Sequence, residues 1–264
     1  MTEEVAKVKE DPLRKLVASM GKEIENALPA LGVTTERLGR VFMTEVRKTP
    51  KLMQCSQQSL AAALMQSAEL GLEFGSAIGH IYMIPFKNEA TTIIGYRGLL
   101  ELMRRSGEVK SLSVHVVYEA DKFDYELGLV ERLSHKPSTK PVNERGQITH
   151  SYFVAHFNNG GHHIEIMDKS EIDAIRNSSM GKNHTPWTQH YAEMAKKSVI
   201  RRAAKLMPSK IMPVNAFQDL EKEDVIEGEW ITQEEAPALE AGKMDIGKQE
   251  ATATDSMPEY EEEL

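Results

Sequence analysis

Apolar and polar positions fall into three successive regimes along the chain, and they predict helices first, strands next and a helix last. Leu13, Leu16, Val17, Met20 and Ile24 recur at helical spacing within a polar lead-in over residues 1–30. Thr34 or Thr35 stands where an N-cap belongs, ahead of Leu38, Val41, Phe42 and Val46 on one helical face ending near Thr49-Pro50. Ser56 opens a third, alanine-rich helix to Leu70, and Gly71 supplies its stop.

Alternation then replaces the helical period. His80–Phe86 and Ala90–Ile94 flank the polar turn Lys87-Asn88-Glu89, the pattern of a β-hairpin. The run IIGYRGLLELMRRSG, Ile93–Gly107, passes from strand to a helix starting near Gly98. Leu112, Val114, Val116 and Tyr118 alternate onto one strand face. Phe123–Glu126, Ile148–Phe157 and His162–Met167 continue the strand pattern, the last two joined by Asn158-Asn159-Gly160-Gly161. Asp168 and Glu171 form a capping box for a helix to about Arg176. After the polar loop Asn177–Pro186, Thr185 as N-cap and Pro186 at the first helical position start a helix to about Met207. No regular strand–helix–strand alternation is present, so the class is α+β, a small mainly antiparallel sheet with β-hairpins packed on helices.

Charge divides the chain further. Of the net −8 over 264 residues, the segment from Asp219 onward holds 16 Asp/Glu against three Lys, a balance of −13 that leaves the remainder at +5. The expected organisation is a helical lead-in (1–30), a core (31–213) and an acidic, disordered tail (214–264). A mildly basic body suits a polyanionic partner without demanding one. Apolar runs such as Leu60–Met65 are too short to span a bilayer, and the charged start lacks a signal-peptide core. Cys55 is the only cysteine, which excludes an internal disulfide and a thiolate zinc cage. The simplest compartment is the cytoplasm.

Gly95-Tyr96-Arg97-Gly98 invites a phosphate-loop reading, but it has neither the GxxxxGK[ST] nor the GxGxxG spacing. A helix starting beside it would still offer free amides and a positive dipole end, with Arg97 as a bidentate donor and Tyr96 as a stacking face. The alternative is a tight strand-to-helix turn made by the glycines, with a surface arginine. In Met194–Lys210, Lys197, Arg201 and Lys205 fall four apart as a basic ridge flanked by Lys196 and Arg202, with Ala195, Val199, Ala203 and Leu206 on a separate apolar face. Like charges at that spacing cost a helix about 0.2–0.5 kcal/mol per pair, so the ridge suits an anionic partner or a solvated face. Trp187 and Tyr191, one turn apart, are a stacking platform or core. His156, His162, His163 and Glu165 lack zinc-site spacing. Asp121, Asp124 and Glu126 would serve a metal-dependent nuclease but have no matching base in sequence, so the expectation is no metal and no cofactor.

Four blocks occur together and in order: SLAAALMQSAELGLEFGSAIGHIYMIPF, IIGYRGLLELMRRSG, VVYEADKFDYELG with LSHKP, and WTQHYAEMAKKSVIRRAAKLMP. Over roughly residues 32–212 they resemble the RecT family, single-strand DNA annealing proteins mostly of phages and prophages. The resemblance implies a non-enzymatic, ATP-independent annealer with a Redβ/RecT-like α+β core. It implies assembly into rings or filaments and work beside a 5′→3′ exonuclease and the host single-strand-binding protein. Under it, Tyr96, Arg97, Lys196, Lys197, Arg201, Arg202 and Lys205 line a groove for the DNA backbone. Tyr82, Phe86, Lys87, Lys182, His184 and Trp187 are weaker candidates, and the hairpin tipped by Phe86 and Lys87 would be placed against the bases. A metal-dependent DNA nuclease and a non-annealing single-strand-binding module stay open as alternatives.

Overall fold

The computed structural model describes residues 11–29, 33–75, 78–179, 183, 185–208 and 216. Apart from Ala216, which is buried against the core, the acidic tail lies outside the described residues, as do the candidates Lys182 and His184. The lead-in forms two helices, α1 (Pro12–Ser19) and α2 (Gly21–Ala27), separated at Met20. Asp11 caps α1 by accepting from the Leu13 amide at 3.0 Å. In α3 (Thr35–Lys48) Thr34 caps, and Leu38, Phe42 and Val46 are buried as expected. Gly39 lets α1 approach closely, since a Cβ there would lie 2.5 Å from Val17 Cγ1. A 3-10 turn, Pro50–Gln54, leads to α4 (Gln57–Leu70), which Ser56 caps and Gly71 ends in the left-handed conformation, φ +57°.

Three antiparallel sheets follow. The first is the hairpin β1 (Ile81–Phe86) and β2 (Glu89–Ile94), turned tightly through Lys87 and Asn88, both at positive φ. After α5 (Tyr96–Arg105), β3 (Val109–Tyr118), β6 (Ile148–Phe157) and β7 (His162–Asp168) form the central sheet in the order β3-β6-β7. A second hairpin, β4 (Lys122–Glu126) and β5 (Arg132–Lys136), stands apart from it; the sequence pattern assigns no strand to Arg132–Lys136. Leu112, Val114 and Val116 share a face as expected; the register shifts between Val117 and Tyr118, and Val117, on the opposite face, is buried.

The closing helix differs from its expectation. It comes in two pieces, α7 (Thr185–Gln189) and α8 (Tyr191–Leu206), broken at His190, and Thr185 is helical instead of capping. The break lets Trp187 enter the core while the Tyr191 hydroxyl donates to Asp173 Oδ1 at 2.9 Å. α8 crosses one face of the central sheet and also packs on α5. Ala195, Val199 and Ala203 on α8 and Phe153, Ala155 and Met167 on the sheet are all at most 1% exposed. Leu206, expected on that apolar face, is instead exposed. α6 (Lys169–Ser178) carries the expected Asp168/Glu171 capping box. The α+β class with small antiparallel sheets packed on helices is therefore observed.

Candidate nucleic-acid interface

The junction of β1, α5 and α8 is built on glycine contacts. Gly95 is the N-cap of α5 with ordinary extended backbone (φ −66°, ψ 156°), so it is not there to permit an unusual turn. A Cβ on Gly95 would lie 2.4 Å from the Gly79 carbonyl oxygen, and one on Gly98 2.2 Å from the His80 carbonyl oxygen. The glycines of Gly-Tyr-Arg-Gly thus press α5 against the backbone entering β1, and the Gly95 amide donates to the His80 carbonyl at 2.9 Å. The helix begins at Tyr96, two residues before the expected start. No side chain caps it and its first turn carries no acid, so its positive dipole end is not neutralised by a side chain of its own first turn.

Tyr96 and Arg97 stand at this helix start with Tyr82 against them, and Lys197 of α8 is near enough to act electrostatically on Tyr82. Arg97 is exposed, donates from Nε to the Tyr96 hydroxyl oxygen at 3.4 Å, and lies with its guanidinium carbon 6.0 Å from the Tyr96 ring centre. Gly79 sits beneath both Tyr82 and Arg97: its missing Cβ would be 3.0 Å from the Tyr82 hydroxyl and 3.3 Å from Arg97 Cδ. Burial pushes the Tyr82 phenol up, against the opposing pull of Lys197 and Arg97. The arrangement offers two aromatic faces, two cations and a helix N-terminus on one surface, which is what an extended phosphodiester with unstacked bases requires.

The remaining basic residues of α8 do not form a continuous exposed ridge. Arg201 is only 8% exposed, because α8 is covered by the sheet on one side and α5 on another. Arg202 bridges Glu165 on β7 at 2.8 Å and Glu171 on α6 at 2.5 Å, an arrangement that straps the helix to the sheet. Burial raises the Glu165 carboxyl, and Arg202 opposes that rise. Lys196 is held by Glu193 at 2.8 Å, while Lys205 is exposed near the end of α8. Lys196 also bears on His115, whose imidazole is lowered by burial, by His135 and by Lys196. Trp187 is 4% exposed and belongs to the core.

The hairpin candidates Phe86 and Lys87 are not at a free tip. Lys87 stacks on Phe86 at 4.9 Å, and the turn is docked on α4, where the Ser56 amide donates to the Asn88 carbonyl at 3.1 Å and the Ala90 amide to Ser59 Oγ at 2.8 Å. The histidine and carboxylate sets are dispersed. His163 and Glu165 occupy the face of β7 under α8, whereas His156 and His162 pair on the opposite face. Asp121 accepts from the amides of Tyr118 (2.9 Å) and Ser138 (2.7 Å), and Asp124 and Glu126 are exposed on β4. Among the described residues no three His, Cys, Asp or Glu converge as a metal site, and no helix is long and apolar enough to cross a membrane.

One group that the sequence pattern misses surrounds the base of the β4–β5 hairpin. Phe123 stacks on Tyr152 (5.6 Å, 20°) and touches His150 and Tyr125, while His115 and His135 flank Tyr152. Alternation in FDYE and HSYF hints at these rings, but their meeting depends on which sheet face the hairpin folds across.

A family model for the RecT family matches residues 36–237. The chain is also similar to Protein RecT of Escherichia coli (strain K12), 44% identical over 213 residues that make up 78% of each chain.

Proposed function

Because the chain belongs to the RecT family, we propose that it is an ATP-independent single-strand DNA annealing protein that takes no cofactor and catalyses no bond change. The observation that carries the site is the meeting of Tyr82, Tyr96 and Arg97 at the uncapped start of α5, with Lys197 near enough to act electrostatically on Tyr82. Arg97, Lys197 and the α5 amides hold phosphates, and Tyr96 with Tyr82 orders a base or sugar beside them. Binding by the backbone leaves the Watson–Crick edges outward, so a second strand can test complementarity by pairing. Lys196 and Lys205 extend the track, whereas buried Arg201 and the exposed, glutamate-paired Arg202 position α8. Subunits line up as a ring or filament, which turns a few weak contacts each into one continuous track. A 5′→3′ exonuclease supplies the strand in the bacterial cytoplasm, and the acidic tail is the segment suited to a basic partner surface or to competition with DNA.

Arg97→Ala and Lys197→Glu test the site. Each should weaken binding to all single-stranded sequences alike and reduce the salt slope by about one for each phosphate left unneutralised. Pairing of complementary oligonucleotides, without ATP or metal, should slow in step. Unchanged annealing with an unchanged salt slope would remove this surface from the DNA path, and Mg²⁺-dependent degradation of the strand would favour the nuclease instead.

A further inference from the structure

The β4–β5 hairpin ends in an apolar tip that nothing among the described residues covers. Leu127, Leu129 and Val130 are 55%, 106% and 73% exposed, with Tyr125 at 41% just below them. Three aliphatic side chains in four successive positions, all facing water, form a knob suited to burial elsewhere. The charges around it disfavour DNA as the occupant. Glu126 and Glu131 flank the tip against Arg132, with Asp124 farther down β4 and Glu131 paired to His162 at 3.2 Å.

A complementary recess lies at the other end of the packing order. Val33 and Ile78 provide its apolar wall, Glu73, His80, Glu101 and Arg105 its polar rim, and its volume is about 200 Å³. That is room for a branched aliphatic side chain. Arg37 holds Glu73, and Arg105 donates to the Gly71 carbonyl at 3.0 Å; Glu101 is the other rim carboxylate, close enough to Arg105 and His80 to act on them electrostatically but in no direct ion pair among the described residues. Arg132, at the foot of the knob, likewise has no ion pair among the described residues. Neither β4 nor β5 packs extensively on α4 or α5, the helices beside the recess, so the knob of one molecule is taken to meet the recess of another.

We propose that the Leu127–Val130 tip of one subunit seats in the Val33/Ile78 recess of a second copy of this chain, with Arg132 facing Glu101. The two surfaces differ, so the contact is head-to-tail and repeats into an open row or a closed ring, not a two-fold dimer. The contact is small beside the ~1,200–2,000 Å² of stable interfaces, so it acts cooperatively when subunits already share a strand. This deepens the assembly part of the proposed function and rests on it.

Cysteine pairing in full-length protein tests the contact directly. In a Cys55→Ala background, mixing Leu129→Cys with Ile78→Cys under mild oxidation on long single-stranded DNA should give a mixed disulfide dimer well above either homodimer. The double variant should give a ladder. Homodimers in equal yield, or no cross-link, would overturn the proposal. Arg132→Glu and Glu101→Arg should each raise the concentration needed for assembly roughly tenfold, measured by sedimentation velocity, and together restore it. A double variant no better than the singles would count against the pairing. Binding to an oligonucleotide too short for two subunits should be unchanged throughout, which keeps a failed contact distinct from a failed DNA site. Weakened binding to that short strand by Leu127→Ser/Leu129→Ser/Val130→Ser would place the tip on DNA and overturn docking on protein.

Discussion

The two β-hairpins share one secondary structure and have opposite positions in the molecule. β1–β2 is closed by a two-residue turn and tied down along its length: its turn to Ser56, its second strand to Ser59 and Gln66, and its apolar face to the core through Ile81 and Ile94. β4–β5 has a five-residue loop and is held mainly at its base, by Asp121 and the Phe123–Tyr152 stack, with one contact from the loop itself, Glu131 to His162 at 3.2 Å. The difference teaches that a hairpin's reach is set by where its backbone and apolar residues find partners, not by strand content. The hairpin that sequence suggests as a probing finger is a wall of the core, and the one left unassigned is the projecting element.

Substitutions should separate the two in a graded way. Ile81→Ala on β1, where the side chain is fully buried, should cost ~2–5 kcal/mol in urea unfolding. Gly98→Ala should cost about 1–3 kcal/mol, because the new methyl group meets the His80 carbonyl and must displace α5 from β1. Asp121→Ala frees two amides and should cost roughly 1–3 kcal/mol, with faster hydrogen exchange confined to Tyr118 at the end of β3, to β4 and β5, and to the Ser138 loop. Serine at 127, 129 and 130 together should shift stability by less than about 0.5 kcal/mol per site, since the side chains are already in water. An equal loss from the tip and from Ile81 would erase the distinction.

Acid should also divide them. Burial pushes the Asp121 carboxyl up, but the amides of Ser138 and Tyr118 and the His135 ring outweigh it, and the net shift is downward. Stability from a lowered carboxyl is present above the group's ordinary value and is lost as pH falls through the lower folded value. Exchange at the Tyr118 and Ser138 amides should therefore accelerate below the usual carboxylate range, while the β1–β2 amides stay protected. Simultaneous loss in both hairpins would argue for global unfolding instead.

What is legible in the sequence is local. Ser56, Gly71 and the Asp168/Glu171 box give helix ends because cap and helix lie within a few residues of each other. Arg132–Lys136 escapes the pattern because a five-residue strand with one aliphatic side chain owes its existence to its partner β4. The α8 ridge fails in its middle because helical spacing shows which residues share a stripe but not that two sides of the helix are covered. At the candidate site, adjacency of Tyr96 and Arg97 is written in the chain. Their approach to Tyr82 and Lys197 depends on three elements meeting, and only the family resemblance points to it from sequence. The glycines of Gly-Tyr-Arg-Gly suggest turn-formers, and their service as contact surfaces becomes visible only once β1 lies against them.

Those glycine contacts also decide which damage can be repaired by a second mutation. At Gly39 an added methyl group would collide with Val17, a side chain, so trimming Val17 to alanine offers a compensating change. At Gly95 and Gly98 the obstacle is the carbonyl of Gly79 or His80, which every amino acid carries. No neighbouring substitution can remove it. A selection for suppressors should therefore recover second-site revertants of Gly39→Ala at Val17, and from Gly98→Ala only true reversion or distant changes that stabilise the whole fold.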